Sequence, residues 1–427
     1  MKSSTTIALN SANKCPGDAM KYACCERMHL DGQKPTCLPR EGFMHSVKLL
    51  TAILIGAWAQ DATARNITVQ FGQSIQAAVD LASPGDRILV QPGTYRESGR
   101  YCPTDLSKVC AVVVSKNDIS LVAQPRPGRP VILENTSNQT QGIAFGRPGV
   151  SPAQCLSDAS KRIRGAQVSG FVVRNFNDTG IFLFCVEGFT VSSNSAVDNK
   201  IYGIFPVLSG DGVISGNVAS GAHDTGIYIG QSHDVHVNEN IAHDNVSGFE
   251  VENSLNIEVD HNESFNNTAG ILMFIEPGNV IMVSRSNRIH DNFVHDNNSP
   301  NSCVVPGDDI CLVPPGIGIS GAAGDHNVIA HNRVTGNKTV GILLIDMCTA
   351  LQIPLSSCNL GFDPLPETTR IEFNTAQGNG FNPNPSLPGA DLLWTGSGTG
   401  NCWFHNVATV VVPPNLPACP QPSAMKE

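Results

Sequence analysis

One short pattern, a glycine followed by apolar, variable and apolar residues, returns along the chain at an almost constant interval. Its clearest copies are residues 226–229 (Gly-Ile-Tyr-Ile), 248–251 (Gly-Phe-Glu-Val) and 270–273 (Gly-Ile-Leu-Met), whose glycines lie 22 residues apart. Gly180 and Gly203 continue the series upstream in steps of 23. Self-similarity at this period is typical of stacked supersecondary units, so a chain of 427 residues can be one solenoid instead of several globular domains.

The composition of the repeat indicates the kind of solenoid. Glycine, asparagine and β-branched residues are frequent in each unit, and this disfavours helical repeats. A coil of about 22 residues, built from short strands that stack at about 4.8 Å on the equivalent strands of the next coil, is a parallel β-helix. We therefore predict an all-β chain wound in this way.

A second marker, an asparagine, keeps step with the glycine pattern. It occupies Asn194, Asn217, Asn240 and Asn262, and reappears at Asn292, Asn332 and Asn374. Asparagine tolerates a left-handed backbone, and its amide can hydrogen-bond to the same residue one coil away. We predict an internal asparagine ladder at a tight corner. The sequons that begin at Asn245 and Asn262 are accordingly interpreted as turn residues and not as glycosylation sites.

The repeat is interrupted after Asn262, where the next marker steps are 30, 40 and 42 residues. The excess residues fall at 276–283, 299–315 and 346–369, all beside the glycine-pattern strand. Insertions in a solenoid tend to emerge on one face. We predict that these loops build walls over the outer face of that strand.

The start of the repeat region carries a more specific resemblance. Residues 74–80 read SIQAAVD, Pro84-Gly85-Asp86 follows, and residues 92–95 read PGTY. Ser74 can cap a short helix that would cover the open first coil. This opening, followed by asparagine-marked coils, resembles secreted right-handed parallel β-helix repeat proteins of the pectate-lyase-like superfamily. The resemblance implies one right-handed β-helix domain over residues 65–420, a short capping helix, loop insertions on one face and a tail at 421–427.

The segment 44–64 has the features of a secretory signal peptide. Lys48 precedes an apolar run at 49–58, and Ala62-Thr63-Ala64 is a suitable cleavage site. The run is too short to span a bilayer, so we predict a mature chain without a transmembrane segment, located in the periplasm, at the cell surface or outside the cell. Residues 1–43 are then a non-structural leader or the result of a misassigned start, the alternative being a cleaved or structured leader.

The cysteines and the net charge of the chain indicate its cellular compartment and the kinds of ligand it can bind. Ten of the 14 cysteines follow Met44 and form close neighbours in sequence: 102 and 110, 155 and 185, 303 and 311, 348 and 358, 402 and 419. Their connectivity stays open, but the spacing favours disulfides in an oxidising compartment over metal ligation. The net charge of −10 without any basic cluster argues against nucleic-acid binding. We expect a monomer.

Alternation along the glycine-pattern strand assigns its two faces. Tyr228, Glu250 and Glu252 are predicted to point away from the column, with Tyr228 directly beside Glu250. His223 and Asp224 lie in the turn just before Tyr228. Three outward aromatic residues would form a platform for sugar rings, namely Phe182, Phe205 and Phe274. The opposing interpretation is that the carboxylates are solvated and that the aromatic rings pack beneath the loops.

A reaction on a uronate polysaccharide needs groups that neutralise the carboxylate and that move the C5 proton. Asp224, Glu250 and Glu252 could hold Ca²⁺ against the uronate. Tyr228 or His223 could exchange the proton, and Glu250 belongs to the catalytic candidates as well. The sequence thus predicts a protein that binds, and as an enzyme would modify, an acidic polysaccharide by lyase or C5-epimerase chemistry. The alternative is a non-catalytic carbohydrate-binding or structural β-helix protein.

The motifs of known enzyme families are only partly present. The chain contains neither the Arg-x-Pro-x-x-Arg of pectate lyases nor the paired-aspartate signature of polygalacturonases. Residues 361–364 (Gly-Phe-Asp-Pro) are similar to the core of the Tyr-Gly-Phe-Asp-Pro-His motif of mannuronan epimerases. Leu360 and Leu365 replace its tyrosine and histidine, and the segment lies in an insertion, so we assign it no role.

Overall fold

Each turn of the chain adds one short strand to each of three sheets in the computed structural model, which describes residues 64–136 and 138–420. The predicted leader, most of the signal segment (44–63) and the tail lie outside these residues. Within the described residues, no helix is long and apolar enough to cross a membrane.

The strands of each sheet follow one another in chain order along the column. Sheet 1 consists of Asn66–Val69, Arg87–Val90, Ser120–Ala123, Ile163–Ser169, Val186–Ser192, Gly210–Ser215, His233–Asn238, Glu258–Asp260, Arg288–His290, Val328–Ala330, Arg370–Glu372 and Cys402–Phe404. Sheet 2 consists of Gly93–Tyr95, Val131–Glu134, Phe171–Arg174, Ser195–Val197, Val218–Ser220, Ile241–His243, Glu263–Phe265, Phe293–His295, Arg333–Thr335, Thr375–Gln377 and Val407–Ala408. Sheet 3 consists of Arg100–Tyr101, Val109–Val114, Gln141–Phe145, Thr179–Phe184, Tyr202–Val207, Thr225–Gly230, Ser247–Glu252, Ala269–Phe274, Ile317–Ala322, Val340–Ile345, Ala390–Trp394 and Val411–Val412.

The glycine-pattern strands all belong to sheet 3, and they pair in parallel and in register. Ile227 lies opposite Phe249, and Phe249 lies opposite Ile271. The inward residues of five successive coils are fully buried in one continuous core: Ile181, Ile204, Ile227, Phe249 and Ile271. Burial of each such side chain contributes about 1.5–3 kcal/mol, so the column gains stability coil by coil. The predicted parallel β-helix and its inward face are confirmed.

The predicted asparagine ladder is present and runs one coil further than the sequence indicated. Each side-chain amide, from Asn194 onward, donates to the side-chain oxygen of the asparagine in the next coil at 2.9–3.0 Å, and the series ends at Asn406. A second ladder, which we did not predict, links Asn245, Asn267, Asn297, Asn337 and Asn379 to Asp391. Asn245 and Asn262 are buried, in agreement with their interpretation as turn residues.

Removal of one amide from the first ladder is expected to destabilise the column. Asn262 accepts from the backbone N–H and the side chain of Asn240, and it donates to Val237 and Asn292. Asn262→Ala leaves several of these buried groups without partners, so we expect a loss of about 2–4 kcal/mol in the free energy of unfolding. Urea denaturation tests this, with the exposed Asn382→Ala as control. Equal effects of the two substitutions would contradict the structural role of the ladder.

The helices lie at the first coil and in the loops. The predicted capping helix is Ile75–Leu81, and the Ser74 hydroxyl accepts from the Ala77 N–H at 3.0 Å. The other helical segments are the α-helices Pro152–Ser157 and Met347–Ala350 and the 3₁₀ turns Ala159–Lys161, Asp309–Leu312 and Leu355–Ser357.

All ten cysteines after Met44 are paired with their neighbours in sequence. The disulfides are Cys102–Cys110, Cys155–Cys185, Cys303–Cys311, Cys348–Cys358 and Cys402–Cys419. Two of them close loops within the long insertions at 299–315 and 346–369. These covalent links restrict the loops that cover the outer face of sheet 3.

Candidate functional site

A cleft of about 190 Å³ lies between the outer face of sheet 3 and the inserted loops. Its polar lining consists mainly of Tyr202, Asp224, Tyr228, Glu250, Glu276, Asp308 and Asp309. Its apolar lining consists mainly of Leu272, Ile310, Leu312, Ile317, Leu343, Ile345, Met347, Leu351 and Leu387. The predicted walls are therefore present, and together with sheet 3 they enclose a pocket.

The strand register places two of the predicted residues together. Tyr228 lies directly opposite Glu250 in the neighbouring strand, and Gly230 lies opposite Glu252. Tyr228 and Glu250 both line the cleft, as the alternation of faces predicted. Neither side chain is open to solvent, since Tyr228 is 6% exposed and Glu250 is 3% exposed. The loops form a roof over this face, so the side chains point out of the column and are still buried.

Asp224 and Glu250 form a buried pair of acidic groups. The Thr225 hydroxyl donates to Asp224 Oδ1 at 2.9 Å. Glu250 Oε1 is buried and has no hydrogen-bond partner among the described residues. Burial raises the pKa of Asp224 to about 7, and the Asp308 carboxylate adds to this effect against the hydrogen bond from Thr225. Burial also raises the pKa of Glu250 well above its ordinary value, and the nearby Asp224 raises it further.

Two acidic groups that repel one another in a poorly solvated site cannot both ionise readily. Their protons are therefore released in two separate steps that belong to the pair. At pH values between these two steps, the pair formed by Asp224 and Glu250 holds one proton. The pair then contains an acid and a base at the same time.

Asp224 is expected to make the folded protein less stable as the pH rises. Its pKa is about 7 in the folded protein, whereas the ordinary value of an aspartate, which applies to the unfolded chain, is 3.8. As the pH rises, the unfolded chain therefore loses this proton at a lower pH than the folded protein. The contribution of Asp224 to the free energy of unfolding is fully present below about pH 4. It is lost as the pH rises to about 7, and the free energy of unfolding then falls by an amount on the order of 4 kcal/mol. Asp224→Asn should make the free energy of unfolding depend less steeply on pH. Some pH dependence should remain, because the pKa of Glu250 is raised too. Urea denaturation between about pH 4 and 8 measures the pH dependence of both proteins, and identical pH dependence would contradict the assignment.

The tyrosines of the cleft belong to a larger aromatic cluster. Tyr202 stacks on Tyr228 with ring centroids 5.1 Å apart, and Phe205 lies 4.4 Å from Tyr228. Phe182 contacts Phe205 at 5.5 Å on the side away from the cleft. Phe182 and Phe205 pack in an apolar cluster with loop residues and do not line the cleft, whereas Phe274 does. Of the three predicted platform residues, Phe274 lines the cleft, Phe182 is buried and Phe205 is partly buried, and their role in sugar binding stays a prediction.

His223 and Glu252 are placed differently from the expectation. His223 Nδ1 lies 3.0 Å from the carbonyl oxygen of Ser302, so this side chain contacts the 299–315 loop instead of lining the cleft. Glu252 accepts a hydrogen bond from Asn279, whose amide also donates to Glu276 at 3.0 Å. Burial raises the pKa of Glu252 well above its ordinary value, and the charge of Glu276 adds to the effect.

The predicted cation ligands do not converge on a single point. Within residues 64–136 and 138–420, the group of acids and histidines whose ligand atoms all lie within 4.8 Å of one another is Glu187, Asp211 and His233 on sheet 1. Glu187 in that group is already paired with Arg162 at 2.7 Å. Asp224, Glu250 and Glu252 do not form such a group, since Glu252 is engaged by Asn279. Their geometry does not fit one Ca²⁺ ion, and Ca²⁺ dependence stays a prediction.

Sequence reasoning missed Tyr202, Glu276, Asp308 and Asp309, which complete the polar lining of the cleft. The last three lie in the insertions at 276–283 and 299–315, where no periodicity assigns a direction to a side chain. One signal was available, because Asp308 and Asp309 lie inside the loop closed by Cys303 and Cys311. A short disulfide-closed loop on the predicted face restricts where its acids can reach.

Comparison with known proteins supports the architecture. The family described as right handed beta helix region matches residues 136–281. Curated protein sequences provide no significant match. The A-module of the mannuronan C-5 epimerase AlgE4 from Azotobacter vinelandii is 16% identical, with a TM-score of 0.51 over 82% of this chain and 93% of that one. The periplasmic alginate epimerase AlgG is 15% identical, with a TM-score of 0.52 over 80% of this chain and 72% of that one.

At such low identity these likenesses show the fold and not the activity. They agree with the parallel strand order described above. The resemblance seen in the sequence is confirmed at this level. The protein has the right-handed parallel β-helix fold.

Proposed function

We propose that the protein is an exported enzyme that modifies a polysaccharide in the sheet 3 cleft by proton transfer, with lyase or C5-epimerase chemistry. One observation carries the proposal. The buried Asp224 and Glu250 interact electrostatically, both line the cleft together with Tyr228, and Glu250 Oε1 has no hydrogen-bond partner among the described residues. A strongly shifted acidic pair in a cleft is a typical arrangement for general acid–base catalysis.

The chemistry requires one base and one acid. The ionised member of the pair takes the C5 proton of a uronate residue. In a lyase reaction the C5–H electron pair forms the C4=C5 double bond, the C4–O4 bond breaks, and O4 leaves with a proton from the acid. In an epimerase reaction the C5–H bond breaks on one face, C5 receives a proton on its opposite face, and the C4–O4 bond stays intact. Glu250, Asp224 and Tyr228 all line the cleft and provide groups for both roles.

The fold neighbours support the choice of substrate class, since AlgE4 and AlgG are epimerases of mannuronan and alginate. The cleft of this protein adds a condition. Its lining contains no lysine, arginine or histidine among the described residues. A uronate carboxylate would therefore accept hydrogen bonds from the hydroxyl groups and the neutral carboxyl groups of the cleft. We derive no step through Ca²⁺.

Export is part of the proposal. Five disulfides are formed within the β-helix, and such bonds persist in oxidising compartments. We place the protein in the periplasm, at the cell surface or outside the cell, as the signal-like segment indicates.

The test is incubation with alginate, pectate and glycosaminoglycans in D₂O, with and without Ca²⁺. Ultraviolet absorbance detects the unsaturated product of a lyase. NMR detects deuterium at C5 and the inversion caused by an epimerase. We expect one of these signals with at least one polymer. Their absence with every polymer overturns the proposal, and binding without turnover would establish the non-catalytic alternative.

A further inference from the structure

The same dipeptide, Asp-Thr, stands directly before the glycine pattern in two coils of sheet 3. Its copies are Asp178-Thr179 and Asp224-Thr225. In each copy the buried threonine hydroxyl donates to Oδ1 of the preceding aspartate, at 2.8 Å in the first copy and 2.9 Å in the second. The two coils therefore share one local arrangement, and their surroundings distinguish them.

The surroundings of the second copy include Glu250. Asp224 is 4% exposed and lines the cleft with Glu250, whereas Asp178 does not line it. Thr225 lies close to Glu250 as well, since burial raises the pKa of Glu250 and the Thr225 hydroxyl opposes this rise. Thr225 is thus a hydroxyl group beside two buried acids, and the first copy provides a matched comparison within the same chain.

We infer that Thr225 is a positioning residue that sets the roles in the acidic pair, with Asp224 as the base and Glu250 as the acid that holds the proton. The inference rests on the proposed function and assigns its two groups. A hydroxyl has one proton to donate, and that of Thr225 is donated to Asp224, where it favours the ionised form. Glu250 Oε1 is buried and receives no hydrogen bond from the described residues, so its ionised form lacks this support.

These roles give a balanced reaction. Asp224 takes the C5 proton, which is the step that lyase and epimerase chemistry have in common. In the lyase reaction the C5–H electron pair forms the C4=C5 double bond, the C4–O4 bond breaks, and O4 leaves with the proton of Glu250. The pair then again holds one proton, now on Asp224, and this proton passes back to Glu250 before the next turnover.

Other titratable groups also face Asp224. They come from the neighbouring coils and from both inserted loops, and they are Tyr202, Tyr228, Glu250, Glu252, Glu276, Asp308 and Asp309. Burial is the main cause of the raised pKa of Asp224, the charges of Asp308 and Glu276 add to it, and Tyr202 opposes it as Thr225 does. A substitution of Thr225 leaves all of these groups in place, so its effect isolates the one hydroxyl.

The first test assigns the roles of the two acids. In D₂O, an active base exchanges the C5 proton for deuterium even when the acid cannot complete the reaction. We expect Glu250→Gln to incorporate deuterium at C5 at least about tenfold faster than Asp224→Asn, as NMR of the recovered polymer measures. Equal rates, or the reverse order, overturn the inference.

The second test removes the hydroxyl. Thr225→Val keeps the shape of the side chain and should raise the pKa of Asp224, so the pH of half-maximal activity on the acidic side should rise by about one unit. The free energy of unfolding should keep falling to a correspondingly higher pH, because the folded protein then holds this proton longer. Initial rates measure the first effect, and urea denaturation with a chelator present measures the second.

Two further variants complete the design. Thr225→Ser keeps the hydroxyl and should restore the wild-type pH profile, whereas Thr179→Val makes the same change in the first copy and should leave that profile unchanged. An equal loss of activity for Thr225→Val at every pH would show a merely structural role and overturn the inference. Turnover with the roles of the acids reversed leaves the proposed function standing. A wild-type protein that processes no polymer contradicts the proposed function and the reaction roles together.

Discussion

Replacement of Glu250 by glutamine is expected to lower turnover about 10²–10⁴-fold, the usual contribution of a positioned acid or base. Glutamine keeps the size of the side chain and removes its ability to exchange a proton. The stability of the protein should stay the same or increase, because the wild-type Oε1 is buried without a hydrogen-bond partner among the described residues and burial disfavours the ionised form of the carboxyl group. A catalytic loss with no loss of stability separates a role in the reaction from a role in the fold.

Initial rates on the polymer that is turned over, together with urea denaturation of the same preparations, measure both effects. Glu239→Gln is the matched control, since it makes the same chemical change at an exposed site. Rates of Glu250→Gln within a few-fold of the wild-type rate would remove this residue from the mechanism. A large loss of stability would show instead that the carboxyl group is a structural element.

Phe249→Ala is expected to lower the free energy of unfolding by about 3–5 kcal/mol. Phe249 precedes Glu250 on the same strand, but it points into the column and is fully buried. It lies in register between Ile227 and Ile271, so truncation leaves a cavity that interrupts the stack of apolar side chains. Neighbouring coils can fill such a cavity only in part, because the strand spacing is set by backbone hydrogen bonds.

The control for this experiment is Phe381→Ala, whose ring is 66% exposed. Removal of an exposed ring should change stability by no more than about 0.5 kcal/mol. Urea denaturation compares the two variants, with the same dependence of the free energy of unfolding on urea concentration used for both. Similar losses for both would contradict the assignment of Phe249 to the core. Phe249 and Glu250 together test whether one strand divides its residues between stability on one face and function on the other.

The winding of the chain, its register and the two faces of each strand could be predicted from the sequence alone. The reason is that a β-helix repeats one local environment, so residues with the same environment recur at the period of the coil. The pairing of Tyr228 with Glu250 followed from the 22-residue step between their coils. The asparagine ladder followed in the same way. The second ladder from Asn245 has the same period and could have been recognised by the same reasoning.

The cleft depends on tertiary structure. Pleating sets the direction of a strand residue, but the insertions at 276–283 and 299–315 have no period, so nothing local indicated that Glu276, Asp308 and Asp309 would face Glu250. The 299–315 loop contacts His223, and Phe182 is buried in an apolar cluster that includes Cys155 and Leu208. The periodic residues of this protein thus determine the column, because identical neighbours stack. The position of the non-periodic loops determines which outward side chains meet in a shared, water-poor space, and there their charges and pKa values are set by one another.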